Sequence, residues 1–223
     1  AYAEQIVVHE GEVARLPDAL DDRTAAAIPE AFVTAYDALV TRGKLAPGDA
    51  VVVHAAGSGV GTAAIQIAKS FGCRVIATSR TADKLPRCKE LGADVTLVVE
   101  KATFADAVKE ATSGRGADVI LDLAGGAYVG EDVHAVAVLG RILVVGLTAG
   151  ARSDVHLGAL LSRRATIIGT VLRSRPLAEK IEAASVLERN IVPLVAAGRM
   201  TPVIDREYPL DEAGAAHGFV ASN

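Results

Sequence analysis

From Val51 to Lys69 the chain reads VVVHAAGSGVGTAAIQIAK: an apolar run, a loop of tiny residues, then a segment of helical period beginning near Gly61. Ala55, Ala56, Gly57, Ser58 and Gly59 are small enough to let phosphates approach the backbone closely. The first-turn N–H groups of the helix that follows, aligned with its dipole, supply positive charge without any cation. An ordinary tight strand-to-helix turn could use the same residues, and a lone glycine pattern would not separate the two readings. Position favours the phosphate cradle, because the loop follows the first of several strand-like runs that alternate with helices.

The glycines are spaced G-x-G-x-G at Gly57, Gly59 and Gly61 rather than G-x-G-x-x-G, so an S-adenosylmethionine loop has to be weighed. Such loops place acidic residues before the glycines and at the end of the second strand, where this chain has Ala55 and Thr78. A dinucleotide reading fits better. An NAD site carries a carboxylate about 20 residues past the glycines to accept from the ribose hydroxyls, and a 2′-phosphate would repel it. Here the sequence is Ala77, Thr78, Ser79, Arg80, with Lys84 a turn later. Hydroxyls and cations suit a 2′-phosphate and hence NADPH; the alternative, with Asp83 between the two cations, is a solvated helix start.

Other residues invite chemistry less strongly. His54 ends the first strand beside the cradle, where a histidine more often satisfies local backbone groups than acts as acid or base. Tyr36 follows helical spacing from Phe32 and reads as core, Tyr128 is a possible proton donor, and His217 reads as surface. Arg173 and Arg175 could hold a phosphate or close a cleft, although surface ion pairs are commoner at a loop edge. Cys73 and Cys88 lack a second Cys or His at metal-ligand spacing and read as reduced thiols, with a redox-sensitive thiol as the alternative.

The elements needed to position the cradle are those of a doubly wound α/β sheet. Strands are expected at Ala50 to His54, Arg74 to Thr78, Val95 to Val99, Val119 to Leu123, Arg141 to Val145 and Thr166 to Thr170. Crossover helices are expected at Gly61 to Phe71, Ala82 to Leu91, Thr103 to Ser113 and Gly130 to Val138, ended by Gly72, Gly92, Gly114 and Gly140. Pro86 should give the second of these a short first turn or a kink. The ends differ. Tyr2 to Arg15 reads as extended with a turn at Glu10 and Gly11, and Asp21, Asp22 and Arg23 signal a helix start. Past the sheet come a long helix, Leu177 to Gly198, a strand-like run, Val203 to Tyr208, and a last helix entered at Leu210 and ending near Asn223. The first residue is not Met and both ends stop inside patterned segments, which predicts that sequence of a second domain lies outside this chain.

Composition narrows the partners. With 223 residues, 51% of them hydrophobic, the chain can bury a sizeable core. A formal net charge of −4 provides no global basic field for nucleic acid or anionic lipid. No apolar run has the length of a membrane span and no signal-peptide pattern opens the chain, so a cytoplasmic location is expected.

In order along the chain, IPEAFVTAYDAL (Ile28 to Leu39), HAAGSGVGTAAIQIAK, KELGAD (Lys89 to Asp94), DLAGGAYVGEDV (Asp122 to Val133), GLTAG (Gly146 to Gly150) and TVLRSRP (Thr170 to Pro176) resemble the medium-chain dehydrogenase/reductase superfamily. Within it they are most similar to the zinc-independent NADPH:quinone oxidoreductases related to zeta-crystallin, and S-G-V-G with LRSRP resembles the tumour-suppressor-inducible subgroup. The resemblance implies a six-stranded Rossmann domain over residues 30–172. It also implies remnants of a GroES-like catalytic domain at both ends, residues 1–29 and 173–223. It puts Thr34 on the nicotinamide side and the pyrophosphate on Ser58, Gly59, Val60 and Gly61. Ser79, Arg80 and Lys84 fall near the adenosine phosphate, Gly146, Leu147 and Thr148 along the nicotinamide ribose, and Val171 and Leu172 near the carboxamide. Val99 or its neighbour stands where many relatives carry a tyrosine near that phosphate. Glu30 stands where zinc-dependent members carry a ligand cysteine, so no metal is expected and the acceptor would be polarised by hydrogen bonds. Much of that apparatus is expected in the absent N-terminal domain.

The function so implied is zinc-independent transfer of hydride from NADPH to a quinone or α,β-unsaturated carbonyl, in a homodimer joined along the edge strand Ala165 to Thr170. An enoyl-thioester reductase of the same superfamily is the enzymatic alternative. An NADPH-binding module without turnover is the other.

Overall fold

The computed structural model describes residues 3–222. After α1 (Asp22–Ala27), α2 (Pro29–Tyr36) and a π turn (Asp37–Arg42), the chain alternates strand and helix. The series runs β1 (Ala50–Val53), α3 (Gly59–Ser70), β2 (Arg74–Ser79), α4 (Leu85–Glu90), β3 (Val95–Val98), α5 (Ala105–Ala111), β4 (Ala117–Asp122), α6 (Ala127–Ala135), β5 (Val136–Val144), α7 (Leu157–Arg163) and β6 (Thr166–Gly169). It closes with α8 (Leu177–Val186), a second π turn (Leu187–Ile191), α9 (Val192–Ala196) and α10 (Ala213–Ala221).

The six strands are all parallel, in the order β3-β2-β1-β4-β5-β6. This is a Rossmann sheet, and its order reverses between β1 and β4. Successive residues of a strand point to opposite faces. Val51, Val53, Val75, Ala77, Val119, Leu121 and Leu143 therefore pack with α2, α3 and the segment from Leu187 to Val195. Val52, Ile76, Ile120 and Ile142 pack on the other face with Phe104, Val108 and Val133. Both faces are covered, which is why the central runs are apolar without alternation.

Several boundaries differ from the sequence expectations. Helix α4 starts at Leu85 and takes Pro86 into its first turn, where the missing N–H has no intrahelical partner to lose. Gly72, Gly92 and Gly114 do terminate helices at positive φ. Gly140 does not: α6 spans Ala127–Ala135, and Gly140 lies inside β5, just after Leu139 at φ 63°. The pairing of β4 with β5 slips there, from Ala117 opposite Val136 to Val119 opposite Arg141. A glycine among apolar residues can mark a bulge as well as a helix end. The helix expected from Leu177 to Gly198 is present, running without a gap through α8, the π turn and α9 over residues 177–196, with Gly198 following its end at φ 67°. Val203 to Tyr208 is extended but pairs with no strand among the described residues, and Asn223 lies outside them.

Leu121 is fully buried at the centre of the sheet. Leu121→Ala should lower the unfolding free energy by about 2–5 kcal/mol, read as a fall in the urea midpoint at constant m-value.

Candidate functional site

Ser58 ends the loop in an extended conformation and caps α3, its Oγ accepting from the N–H of Gly61 at 3.1 Å. The helix thus begins two residues before the expected Gly61, and Gly59, Val60 and Gly61 form its first turn. The N–H groups of Gly59 and Val60, at the positive end of this twelve-residue helix, have no acceptor among the described residues. A Cβ on Gly61 would meet the carbonyl oxygens of Ala55 and Ala56 at 2.6 Å, so helix and loop touch with no room between them. A Cβ on Gly59 would meet only Ala31 Cβ of α2, at 3.8 Å, so a small side chain could be added there without a clash. Ala55 itself takes a left-handed φ of 46° to turn the chain.

This loop lies at the end of β1, beside the reversal of strand order. The other residues expected around a dinucleotide lie on C-terminal strand ends, on the loops that follow them, or on the neighbouring α2. Ser79 ends β2 nearly buried, its Oγ accepting from the Thr81 N–H at 3.3 Å. Arg80 is exposed beyond it, and Lys84 is half-buried with its aliphatic stem over Gly57, where a Cβ would meet Lys84 Cβ at 2.7 Å. Gly146, Leu147 and Thr148 follow β5, and a side chain on Gly146 would collide with the Leu123 carbonyl. Leu147 is exposed, and the Thr148 hydroxyl donates to Leu123 O at 3.4 Å. Val171 is exposed and Leu172 half-buried just past β6, and Thr34 is half-buried on α2. A loop of small residues leading into a helix N-terminus is the arrangement that a pyrophosphate requires, and Arg80 and Lys84 place two cations beyond β2.

Beneath the cradle is a polar group that the sequence reading did not assemble. His54 is fully buried; its Nδ1 lies 2.8 Å from Thr78 Oγ1 and its Nε2 2.8 Å from Asp132 Oδ1. Its partners are therefore side chains of β2 and α6, not the local backbone groups expected of it. Phe104 and Tyr128 enclose the ring at centroid distances of 4.5 and 5.0 Å. Asp122, also fully buried, ends β4 and accepts from the N–H groups of Ala124 and Gly125 at 2.7 and 2.9 Å. One oxygen each of Asp122 and Asp132 has no hydrogen-bond partner. Burial pushes the Asp132 carboxyl up to about 6, against the pull of His54. The signal for this cluster was present: an apolar run ending in Asp122 buries a carboxylate that must be used.

The remaining residues sort simply. Tyr128 is nearly buried, its hydroxyl donating to Val99 O just past β3 at 3.4 Å. Tyr36 accepts from Asn190 Nδ2 at 2.9 Å, and His217 is exposed. Arg175 is not a surface ion pair; it binds Asp37 with both nitrogens of its fork, at 2.9 and 2.6 Å, and both side chains are about 10% exposed. Burial pushes the Cys73 and Cys88 thiols up, the direction opposite to reactivity. Glu30 is exposed in the first turn of α2, and no group of three His, Cys, Asp or Glu side chains among the described residues could hold a metal ion.

The strand order and the loop after β1 define a Rossmann domain, and the comparisons give the family. Residues 59–188 match the zinc-binding dehydrogenase family, and the chain belongs to it, within the medium-chain dehydrogenase/reductase superfamily. Quinone oxidoreductase of Homo sapiens is 29% identical over 97% of the chain, which spans 64% of that protein's length. Squalestatin tetraketide synthase of a Phoma species is 33% identical over 95% of the chain, which corresponds to 7% of that protein. Among solved structures, an NAD-dependent alcohol dehydrogenase superposes with a TM-score of 0.85 at 36% identity, over 99% of this chain and 62% of its own. A mycobacterial protein complexed with NADPH gives 0.84 at 29% identity, over 94% of this chain and 65% of its own.

Two predictions follow from the geometry. Gly61→Ala should cost about 1–3 kcal/mol in chemical denaturation because backbone must move, whereas Gly59→Ala should leave stability within about 0.5 kcal/mol. Because the native Asp132 carboxyl titrates near 6 and an unfolded one near 3.8, the native state binds more protons between those values. Its contribution to stability should then fall as pH rises from about 4 to 6 and level off above. The urea midpoint measured across that range should show this slope in the wild type and a flatter line in Asp132→Asn.

Proposed function

We propose that residues 30–172 bind NADPH, and that the protein to which they belong transfers hydride to a quinone or an α,β-unsaturated carbonyl without zinc. The observation that carries this reading is the α3 N-terminus at the reversal of strand order: the Gly59 and Val60 amides have no acceptor among the described residues, and Gly59 leaves that first turn without a side chain. Ser58, Gly59, Val60 and Gly61 would hold the pyrophosphate. Ser79, Arg80 and Lys84 would hold the 2′-phosphate, and no carboxylate stands at the end of β2 to oppose it. Thr34, Gly146, Leu147, Thr148, Val171 and Leu172 would flank the nicotinamide ribose and ring. The ring, when bound, supplies the hydride. The work of the chain is to orient it and to keep water from its face.

The quinone oxidoreductase relatives support the acceptor class, and the NADPH complex of a similar fold supports the cofactor. Glu30 at the place of a ligand cysteine supports zinc-independence. Residues 1–29 and the end of 173–223 would belong to the GroES-like catalytic domain, which would carry the groups that polarise the acceptor, whereas Leu187, Ile191, Val192, Val195 and Met200 pack into the core of the sheet and keep that stretch with the dinucleotide-binding domain. The edge strand β6, on which Ile167 is exposed, supports a homodimer. No helix among the described residues is long and apolar enough to cross a membrane, and a cytoplasmic location suits the reading.

One observation favours a second reading: the 33% identity to a tetraketide synthase supports an enoyl-thioester reductase. Rates of acceptor-dependent NADPH oxidation with quinones and with enoyl thioesters, measured on the full-length protein, separate the two.

Titration followed by nicotinamide fluorescence should give NADPH binding about tenfold tighter than NADH, and Arg80→Ala/Lys84→Ala should reduce that ratio to about twofold. Equal affinities in the wild type would contradict the assignment of the 2′-phosphate.

A further inference from the structure

Arg175 directs its guanidinium hydrogen bonds to one short stretch of chain and one carboxylate, with Glu179 Oε2 3.6 Å from its Nε. Its Nε donates to Val171 O at 2.9 Å, and its Nη2 donates to Thr170 Oγ1 at 2.5 Å. Nη1 and Nη2 together grip the two oxygens of Asp37 at 2.9 and 2.6 Å. The Thr170 hydroxyl lies 3.3 Å from Asp37 Oδ2, and the Arg175 N–H closes the turn on Leu172 O at 3.1 Å. Arg42 and Glu179 extend the group, Arg42 donating to Glu179 Oε2 at 3.1 Å and lying 3.7 Å from Asp37 Oδ1.

The ion pair is mostly hidden from water, so it does not escape the cost of desolvation, and a packed apolar pair would stabilise the fold as well. What a bidentate arginine adds is direction. The turn it holds has little else to fix it: Val171, Arg173, Ser174 and Pro176 are exposed. Asp37 in turn is one helical turn beyond Thr34, whose carbonyl accepts the Asp37 N–H. The pair therefore ties the loop after β6 to the end of α2, joining the two segments that the proposed function assigns to the nicotinamide ring.

We propose that Arg175, paired with Asp37, is a positioning residue for the nicotinamide end of the dinucleotide: it locks the Thr170–Leu172 turn to the helix bearing Thr34, so that both sides of the ring site are set before the cofactor arrives. This rests on the cofactor reading above. Arg175 touches no part of the ligand in this role; it acts through Val171, Leu172 and Thr34.

The test compares two ligands that differ only at that end, NADPH and 2′-phospho-ADP-ribose, which lacks the nicotinamide. Arg175→Ala should weaken NADPH binding about tenfold and diminish the change in nicotinamide fluorescence, while 2′-phospho-ADP-ribose keeps its affinity within about twofold. Arg175→Lys and Asp37→Asn, which retain some of the hydrogen bonds, should show the same split at smaller size and serve if the alanine variant does not fold. Equal weakening of both ligands would reduce the pair to a general structural role and overturn the proposal, as would unchanged NADPH binding in all three variants. Failure of the wild type to bind either ligand would overturn the cofactor reading itself, and the role of Arg175 with it.

Discussion

Gly61 has no room for a side chain, because the carbonyl oxygens of Ala55 and Ala56 already occupy the place a Cβ would take. That contact sets how near α3 can come to the end of β1, and the rest of the C-terminal edge is built around it. With the helix so close, Ser58 can cap it from the loop, and Gly59 and Val60 form its first turn just past the end of β1. Ala55 meets the same constraint by accepting a left-handed φ. A larger residue at position 61 would push the helix away and take the positive end of its dipole out of the groove.

The loop must also be held from below, and the buried polar cluster does this. His54 is bonded on three sides: its amide to Leu121 O of β4, and its ring to Thr78 of β2 and Asp132 of α6. Asp122 fastens the next loop by taking the amides of Ala124 and Gly125. Buried carboxylates are expensive where an oxygen goes unpartnered, as one does in each of Asp122 and Asp132. An apolar sheet end would cost less and would leave these loops undirected. The polar groups thus trade stability for a defined geometry at the point where strands diverge, and the Asp37–Arg175 pair does the same on the far side of α2.

How much of this the sequence made legible depends on whether the controlling contacts are local. The six strands and their order of appearance follow from apolar runs separated by helical segments, and all six were found within a few residues. The cradle was readable because its chemistry lies in one continuous stretch, from Ala55 to Gly61. Gly140 is ambiguous in the sequence because a bulge and a helix end carry the same residue, and only the slip in pairing to β4 distinguishes them. Val203 to Tyr208 has a strand's pattern without a neighbour among the described residues to pair with. His54 and Arg175 were noticed but their roles were not, since Asp132 is 78 residues from the histidine and Asp37 is 138 from the arginine. Residue type predicted that these groups needed partners; only the fold supplied them.

A dinucleotide bound as proposed lies across the C-terminal strand ends on either side of the strand reversal. Amide hydrogen exchange with and without saturating NADPH tests that position directly. Slowed exchange at residues 57–62, 79–84, 146–148 and 171–172, with the outer face of α7 unchanged, is the result expected of a cofactor lying across the strand reversal. Exchange at residues 57–62 that is indifferent to NADPH, while protection appears elsewhere, would contradict the central claim.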